Sequence, residues 1–325
     1  MSSPVEGCPS SQVNTRLRAN HMSQDPQIVL AARARLGECP VWQAVGQKLF
    51  WVDVYNHRVH QFDPVTGKDC YFDTGDVVSA IALAGTNRLL IALSDRLAWL
   101  DLPTGEVEVI HRIEFPHPVG TRLNDGKCDA HGRFWIGSCS DHPGQAALYR
   151  YDPDGSLHIM ETGLTISNGL AWSPDGSTFY LTDSAQHKIF AYNYLPETGS
   201  IVDRRILVDL SAEGVEPDGL TIDIDGNLWS ALWDGWCVAC FDASGQERSR
   251  IELPVPRPTC LTFGGPDLTN LYITSASVGL SQKEIQKCHT AGDIFCLSSI
   301  VQGMSTYSFG SNHLGRDSCN HDPGN

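Results

Sequence analysis

The sequence has few basic residues and no long apolar run, and both deficits exclude whole classes of protein. Among its 325 residues, Lys plus Arg number 23 against 38 for Asp plus Glu, which gives a formal net charge of −15 at pH 7. Because proteins bind the nucleic-acid backbone through clustered Lys and Arg, this excess of acid, with no basic cluster to offset it, excludes a nucleic-acid partner. No apolar run approaches the roughly 18 residues that a membrane-spanning helix needs, so no membrane partner is expected.

The chain also lacks the features of a secreted, disulfide-bonded protein. The first 27 residues contain no apolar core of the kind that a secretory signal carries, so a cytoplasmic location is expected. Eleven cysteines run from Cys8 to Cys319 without a framework spacing, and we expect most of them to be reduced thiols. The close pair Cys237 and Cys240 lies in a strand-like run, where positions three apart point to opposite faces, which argues against a shared metal.

What the chain does contain is a repeat of three short β-branched or aromatic runs separated by turn signals. Lys48–Asp53 and Arg58–Asp63 belong to one copy, and Thr178–Asp183 belongs to another. Six residues hold corresponding places in the copies: Trp42, Leu83, Asp129, Trp172, Ile222 and Phe263. The steps between them are 41, 46, 43, 50 and 41 residues, near the length of one β-propeller blade.

The repeat therefore predicts an all-β fold, a six-bladed β-propeller over residues 26–310. No stretch has sustained helical periodicity, and residues 281–287 could form at most two helical turns. Residues 28–32 are expected to supply the outer strand of the last blade, whose inner strands come from residues 261–276. Residues 1–25 and 311–325 are expected to be flexible polar tails.

A set of polar residues recurs four positions before the corresponding places of the repeat. Its members are Glu38, Ser79, Asp125, Asn168, Asp218 and Thr259. In a propeller these positions begin the innermost strand of each blade and face the central channel. Three converging carboxylates repel one another unless protons or a cation compensate, and oxygen ligands without Cys or His suit Ca²⁺, Mg²⁺ or Mn²⁺. The alternative is that these residues only solvate a water-filled channel, since Asp-Gly and Asn-Gly are also ordinary turn dipeptides.

Four separated motifs stand out in the chain: Gly37-Glu38-Cys39-Pro40-Val41-Trp42, Arg122-Leu123-Asn124-Asp125-Gly126-Lys127, Ile166-Ser167-Asn168-Gly169-Leu170 and Pro217-Asp218-Gly219-Leu220. They resemble the signatures of the gluconolactonase family, to which the regucalcins (senescence marker protein 30) belong. The likeness continues through residues 260–265 and 291–295, and covers about residues 28–310 in the family's order. Four motifs in one order are far more specific than any single motif.

The resemblance implies a hydrolase that opens sugar lactones, small-molecule substrates, with one divalent cation in the central channel. The metal ligands of the family carry over onto Glu38, Asn168 and Asp218, and Ca²⁺, Mn²⁺, Zn²⁺ or Fe²⁺ could each occupy such a site. The substrate contacts of the family carry over onto Arg122 and Asn124.

The chain departs from the family pattern in one loop, at residues 138–145. This loop is shorter than in the regucalcins, and His142 stands where they have an acidic residue that contacts the substrate. His142 is therefore retained as a candidate substrate contact, although the departure affects which sugar fits. Trp233 and Trp236, beside a strand-end loop, are weaker candidates for the mouth of the site.

A carboxylate must take the proton of the attacking water. Asp218 is the first choice for this general base, and Asp125, which matches an acid near the metal in the family, is the second.

The main alternative function is a non-catalytic calcium-binding regulator of the regucalcin type. Arg122 and Asn124 favour the enzyme, because calcium storage has no use for a substrate clamp. An extracellular binding propeller fits less well, and hydrolysis of phosphotriesters could accompany the main activity. A monomer is expected.

Overall fold

A computed structural model of the chain describes residues 25–298 and 301–311. Within these residues, 24 strands form six four-stranded antiparallel sheets, and the prediction of an all-β, six-bladed propeller is confirmed. The two predicted tails lie outside the described residues, apart from residues 25 and 311. No helix among the described residues is long and apolar enough to cross a membrane.

Each of the first five blades is built from four consecutive strands. Strand β1 (Gln27–Leu30) precedes the first blade, which contains β2 (Gly37–Gln43), β3 (Lys48–Asp53), β4 (Arg58–Asp63) and β5 (Lys68–Asp73). The second blade contains β6 (Val78–Leu83), β7 (Arg88–Leu93), β8 (Arg96–Asp101) and β9 (Val107–Arg112). The third blade contains β10 (Thr121–Cys128), β11 (Phe134–Ser140), β12 (Ala146–Tyr151) and β13 (Leu157–Leu164). The fourth blade contains β14 (Ser167–Trp172), β15 (Thr178–Asp183), β16 (Lys188–Leu195) and β17 (Ser200–Asp209). The fifth blade contains β18 (Glu216–Ile222), β19 (Leu228–Trp233), β20 (Cys237–Phe241) and β21 (Glu247–Glu252).

The sixth blade closes the ring by combining strands from both ends of the propeller. Its inner strands are β22 (Pro258–Gly264), β23 (Asn270–Ser275) and β24 (Ile294–Ser298), with the short helix α1 (Gln282–Lys287) between the last two. Strand β1 pairs with β24 as the outer strand, which confirms the predicted closure with bounds two residues shorter at the C-terminal side. The ring is therefore held by the backbone hydrogen bonds of a sheet, which protects the edges of the blades.

Burial follows the position of a strand within its blade. All six residues of β6 and of β14 are buried, whereas the outermost strand β21 is exposed at five of its six positions. Large aromatic rings fill the space between blades, as in the contact of Trp135 with Trp172, where the ring centroids are 5.8 Å apart. The tryptophans at the repeat positions, Trp42, Trp51, Trp172 and Trp229, are all buried, as an inter-blade core requires.

The segment of residues 301–311, here called the C-terminal strap, crosses one end of the central channel. Met304 N–H donates to the carbonyl of Ile222 (3.3 Å), and Phe309 N–H donates to the carbonyl of Leu83 (2.8 Å). Ile222 and Leu83 are the last residues of the innermost strands of the fifth and second blades. The strap therefore covers the end where innermost strands finish, here called the lower end; the upper end is where these strands begin.

Candidate metal and substrate site

The six recurring polar residues all lie on innermost strands, and all are buried. In every blade the ladder between the innermost strand and its neighbour shifts register at this residue or beside it, as between Glu38 and Val41 and between Asn168 and Leu170. Such a bulge re-aims a side chain that regular pleating would point elsewhere. The repeated bulge places one polar side chain in the innermost strand of each blade, and three of the six, Glu38, Asn168 and Asp218, line one cavity.

A cavity of about 420 Å³ opens at the upper end of the channel. Its lining includes Glu38, Asn168 and Asp218, here called the central trio, together with Arg122 and Asn124. The structure thus brings five of the predicted site residues together. They come from the first, third, fourth and fifth blades, so only closure of the ring assembles them.

Hydrogen bonds within the cavity wall position these side chains before any ligand binds. Asn168 donates from Nδ2 to a carboxylate oxygen of Asp218, and to Oγ of Ser184 at 3.1 Å. Arg122 donates from Nη1 to Oδ1 of Asn124 at 2.8 Å, and Asn124 Nδ2 donates to the backbone carbonyl of Ser167 at 3.0 Å. The Arg122–Asn124 pair therefore acts as one unit anchored on the neighbouring blade.

The carboxylates of the site repel one another. Burial, followed by the charge of Asp125, raises the pKa of Glu38 to about 8, against smaller lowering by the Cys39 N–H and by Arg122. Burial, followed by the charges of Glu38 and Asp125, raises the pKa of Asp218 well above its usual range. The site therefore holds negative charge that is costly unless protons or a cation compensate it.

The central trio fits a hard divalent cation in the chemistry of its donors, two carboxylates and one amide oxygen. Among the described residues, no three His, Cys, Asp or Glu side chains are grouped closely enough to hold a metal by themselves. Binding would therefore depend on the amide of Asn168 and on water ligands. Three protein donors leave coordination positions open, as a catalytic site needs.

Asp125 does not line this cavity. It is buried beneath it, beside Lys127, and lines a smaller cavity of about 70 Å³ that lies toward the strap. Burial raises the pKa of Asp125 to about 6 against the opposing charge of Lys127, and Gly126 N–H donates to its Oδ1 at 2.8 Å. Asp125 acts on the central trio through its charge, which raises the pKa values of Glu38 and Asp218, and it is not among the residues that line the upper cavity.

His142 is not brought into the cavity either. It is exposed in the loop between β11 and β12, where its ring lies 5.2 Å from the ring of His117. Hydrogen bonds fix this short loop: Asp141 N–H donates to the carbonyl of Gly120 (2.8 Å), His142 N–H donates to Oγ of Ser140 (3.1 Å), and Gly144 N–H donates to Oγ1 of Thr165 (3.0 Å).

Several residues that the sequence analysis did not place in the site also line the cavity, among them Tyr55, Glu216 and Arg257. Trp233 lines it as well, whereas Trp236 is 45% exposed and does not. The repeat contained a usable signal for two of these residues. The positions two before the recurring polar residues include Leu36, Ile166, Glu216 and Arg257, and all four line the cavity. Tyr55 lies on a short 3₁₀ turn after β3 and had no such signal.

Comparison with known proteins connects this architecture to one family. Residues 36–277 match the family model described as the SMP-30/Gluconolactonase/LRE-like region. The chain is 36% identical over 250 residues to a pentonolactonase of Haloferax volcanii, covering 76% of this chain and 84% of that protein. It is 34% identical over 286 residues to the regucalcin of Gallus gallus, covering 85% of this chain and 95% of that protein. A solved regucalcin of Agrobacterium tumefaciens, described as a calcium-binding protein, superposes with a TM-score of 0.84 at 26% identity, covering 88% of this chain and 97% of the other.

Proposed function

The chain belongs to the SMP-30/gluconolactonase/LRE-like family, and from this membership we propose that it hydrolyses sugar lactones to aldonic acids with the help of one divalent cation. The similarity to a pentonolactonase and to a 6-deoxy-6-sulfogluconolactonase of Pseudomonas putida supports the reaction class. The feature of the molecule that supports the proposal most directly is the presence of the Arg122–Asn124 pair in the same cavity as the central trio. A store for calcium has no use for such a clamp.

The proposed roles follow from the geometry of the cavity. A divalent cation held by Glu38, Asn168 and Asp218 would polarise the lactone carbonyl and make the attacking water more acidic. Arg122 and Asn124 donate hydrogen bonds to the oxygens of the lactone, and the bond from Arg122 to Asn124 keeps both donors in fixed positions. Addition of water to the carbonyl and cleavage of the ring C–O bond give one aldonic acid, which releases a proton near neutral pH.

Asp218 is the better candidate for the general base. Its carboxylate faces the cavity, whereas Asp125 lies beneath it. A base has to reach the proton that it abstracts, directly or through one water. Asn168 restrains the Asp218 carboxylate by donating to it, which supports a fixed orientation toward the attacking water. Asp125 is assigned an electrostatic influence on the central trio.

The test is proton release from five- and six-membered sugar lactones, measured after chelation and again after addition of single metals. We expect hydrolysis well above the spontaneous rate when one metal is restored, and loss of this rate in Asp218→Asn. Asp203→Asn, a change of an exposed Asp on the outer strand of the fourth blade, is the control and should retain the full rate. Stoichiometric metal binding without turnover of any lactone would contradict the proposal and favour a calcium-binding regulator.

A further inference from the structure

Beyond the central trio and the Arg122–Asn124 pair, the cavity has a second polar wall, formed by Glu216, Trp233 and Arg257. Arg257 precedes the innermost strand of the sixth blade, and Glu216 and Trp233 belong to the fifth blade. Neighbouring blades contact in chain order around the ring, so the sixth blade stands across the channel from the third blade, which carries Arg122. The two arginines therefore approach the cavity from opposite sides.

Arg257 is held in place by contacts on several sides, and its side chain is only 15% exposed. Its Nε donates to Oδ1 of Asp234 at 2.7 Å, its Nη1 donates to the carbonyl of Val278, and the guanidinium lies 4.7 Å from the centroid of the Trp233 ring. Gly279 closes over it at φ +76°, where an added Cβ would lie 2.7 Å from Nη1. Because Asp234 matches the charge of Arg257, this wall does not call for an anionic ligand.

Glu216, unlike Arg257, has no partner that holds its side chain. It makes no side-chain hydrogen bond or ion pair with any residue in 25–298 or 301–311. It is half-buried and lines the cavity. It stands directly opposite Trp233 in the β18–β19 ladder, and residues paired in this way project from the same face of a sheet. A free carboxylate acceptor is thus placed beside an aromatic ring and a rigid guanidinium donor.

An acceptor, a donor and an aromatic face together suit one class of group, a neutral hydroxyl carried on carbon. The hydroxyl can donate to the carboxylate and accept from the guanidinium, while the C–H surface next to it packs on the ring. Glu216 lies two residues before Asp218 on the same innermost strand, so this wall borders the central trio. In a 1,5-lactone whose carbonyl lies at the trio, the hydroxymethyl group is carried on C5, next to the ring oxygen, and it is the hydroxyl that projects farthest from the ring toward the wall.

We propose that Glu216, Trp233 and Arg257 form a subsite for the hydroxymethyl group of a six-carbon lactone, and that they determine the preference for six-carbon over five-carbon substrates. This inference rests on the proposed function. The wall recognises a part of the substrate that does not react, so its contribution appears in KM more than in kcat.

The test compares D-glucono-1,5-lactone with D-xylono-1,5-lactone, which differ only in that hydroxymethyl group. We expect the protein to prefer the six-carbon lactone, and Glu216→Ala to lower the ratio of the two kcat/KM values by about tenfold, through KM for the six-carbon lactone. Trp233→Ala should lower the same ratio, and Glu216→Gln, which keeps an acceptor oxygen, should restore much of it. Glu252→Ala changes an exposed Glu of the same blade and should leave the ratio unchanged.

Two results would overturn the subsite. One is an unchanged ratio in both Glu216→Ala and Trp233→Ala; the other is an equal loss on both lactones, which would assign Glu216 to the chemistry at the central trio. If the protein hydrolyses neither lactone with any metal, the proposed function fails, and the subsite is then judged by binding of the non-hydrolysable D-glucono- and D-xylono-1,5-lactams. A preference for the six-carbon lactam that Glu216→Ala removes supports the subsite, and equal affinities contradict it.

Discussion

Asn168 donates a hydrogen bond from its side-chain amide to the carboxylate of Asp218, across the boundary between the fourth and fifth blades. The two residues are 50 positions apart in the sequence and hold the same place in successive copies of the repeat. The bond restrains a buried carboxylate that three further acids, Glu38, Asp125 and Glu216, repel. The orientation of the proposed metal ligands therefore depends on the packing of the fourth blade against the fifth.

Replacement of Asn168 should weaken cation binding without unfolding the propeller. In Asn168→Ala the cation loses one donor and Asp218 loses its restraint, and we expect the Kd for Ca²⁺ or Mn²⁺ to rise by at least about tenfold. Isothermal titration of chelated protein measures this change. Asn193→Ala removes an exposed amide of the same blade whose side-chain partners are the exposed Asp203 and Arg205, and it should bind the metal as the parent protein does. Equal affinities in all three proteins would remove Asn168 from the site.

Replacement of Arg122 should impair catalysis while the metal stays bound. Arg122→Gln removes the charge and the donor held beside Asn124, and we expect kcat/KM for the preferred lactone to fall about 100-fold. The metal should still bind, because Arg122 is the smallest of the influences on the pKa of Glu38, and the circular dichroism spectrum should remain that of the parent. Arg112→Gln, a change at a side chain that is 66% exposed, is the matched control. A loss of kcat/KM of similar size in both variants would mean that the effect is not specific to the cavity.

Mutation of the two candidate bases should reduce turnover to different extents, because only Asp218 lines the cavity. Asp218→Asn should bring turnover to the spontaneous rate. Asp125→Asn changes a buried charge beneath the cavity, and we expect it to retain turnover within about 100-fold of the parent, since a residue that acts only through its field supplies less than the base does. Rates at saturating metal, with metal content measured in parallel, distinguish lost chemistry from lost binding. A larger loss of turnover in Asp125→Asn than in Asp218→Asn would make Asp125 the base.

The repeat predicted the fold and the central trio because residues at the same position of each repeat occupy equivalent positions in the blades of a propeller. Once Trp42, Leu83 and their counterparts were aligned, Glu38, Asn168 and Asp218 were directed at one axis without any further information. Trp233 of the second wall was named from the sequence as a candidate for the mouth of the site, but Glu216 and Arg257 were missed because their chemistry does not repeat. The positions of Glu216 and Arg257 are occupied in other blades by Leu36 and Ile166, so a search for recurring polar residues passes over them.

The repeat also could not predict the position of His142 or the path of the C-terminal strap, because both depend on local contacts. Alignment with the family pattern placed His142 among the substrate contacts, yet the loop that carries it is fixed by hydrogen bonds from Asp141 N–H to the carbonyl of Gly120 and from His142 N–H to Oγ of Ser140. The path of the C-terminal strap likewise depends on contacts of Phe309 and Met304 with distant blades. Neither set of contacts has a period in the sequence.

The strap should contribute to stability rather than to chemistry, because it covers the end of the channel away from the cavity of the central trio. The ring of Phe309 stacks on Tyr151 and tilts against Trp99, with both centroid distances 5.7 Å. Phe309 is half-buried, so Phe309→Ala should lower the free energy of unfolding by about 1–2 kcal/mol, less than a fully buried Phe would cost. Urea unfolding measures this loss, and Val65→Ala, at a side chain that is 87% exposed, should unfold at the parent midpoint. The kcat and KM of Phe309→Ala should be unchanged. A variant with unaltered stability but altered KM would instead show that the lower end of the channel communicates with the site.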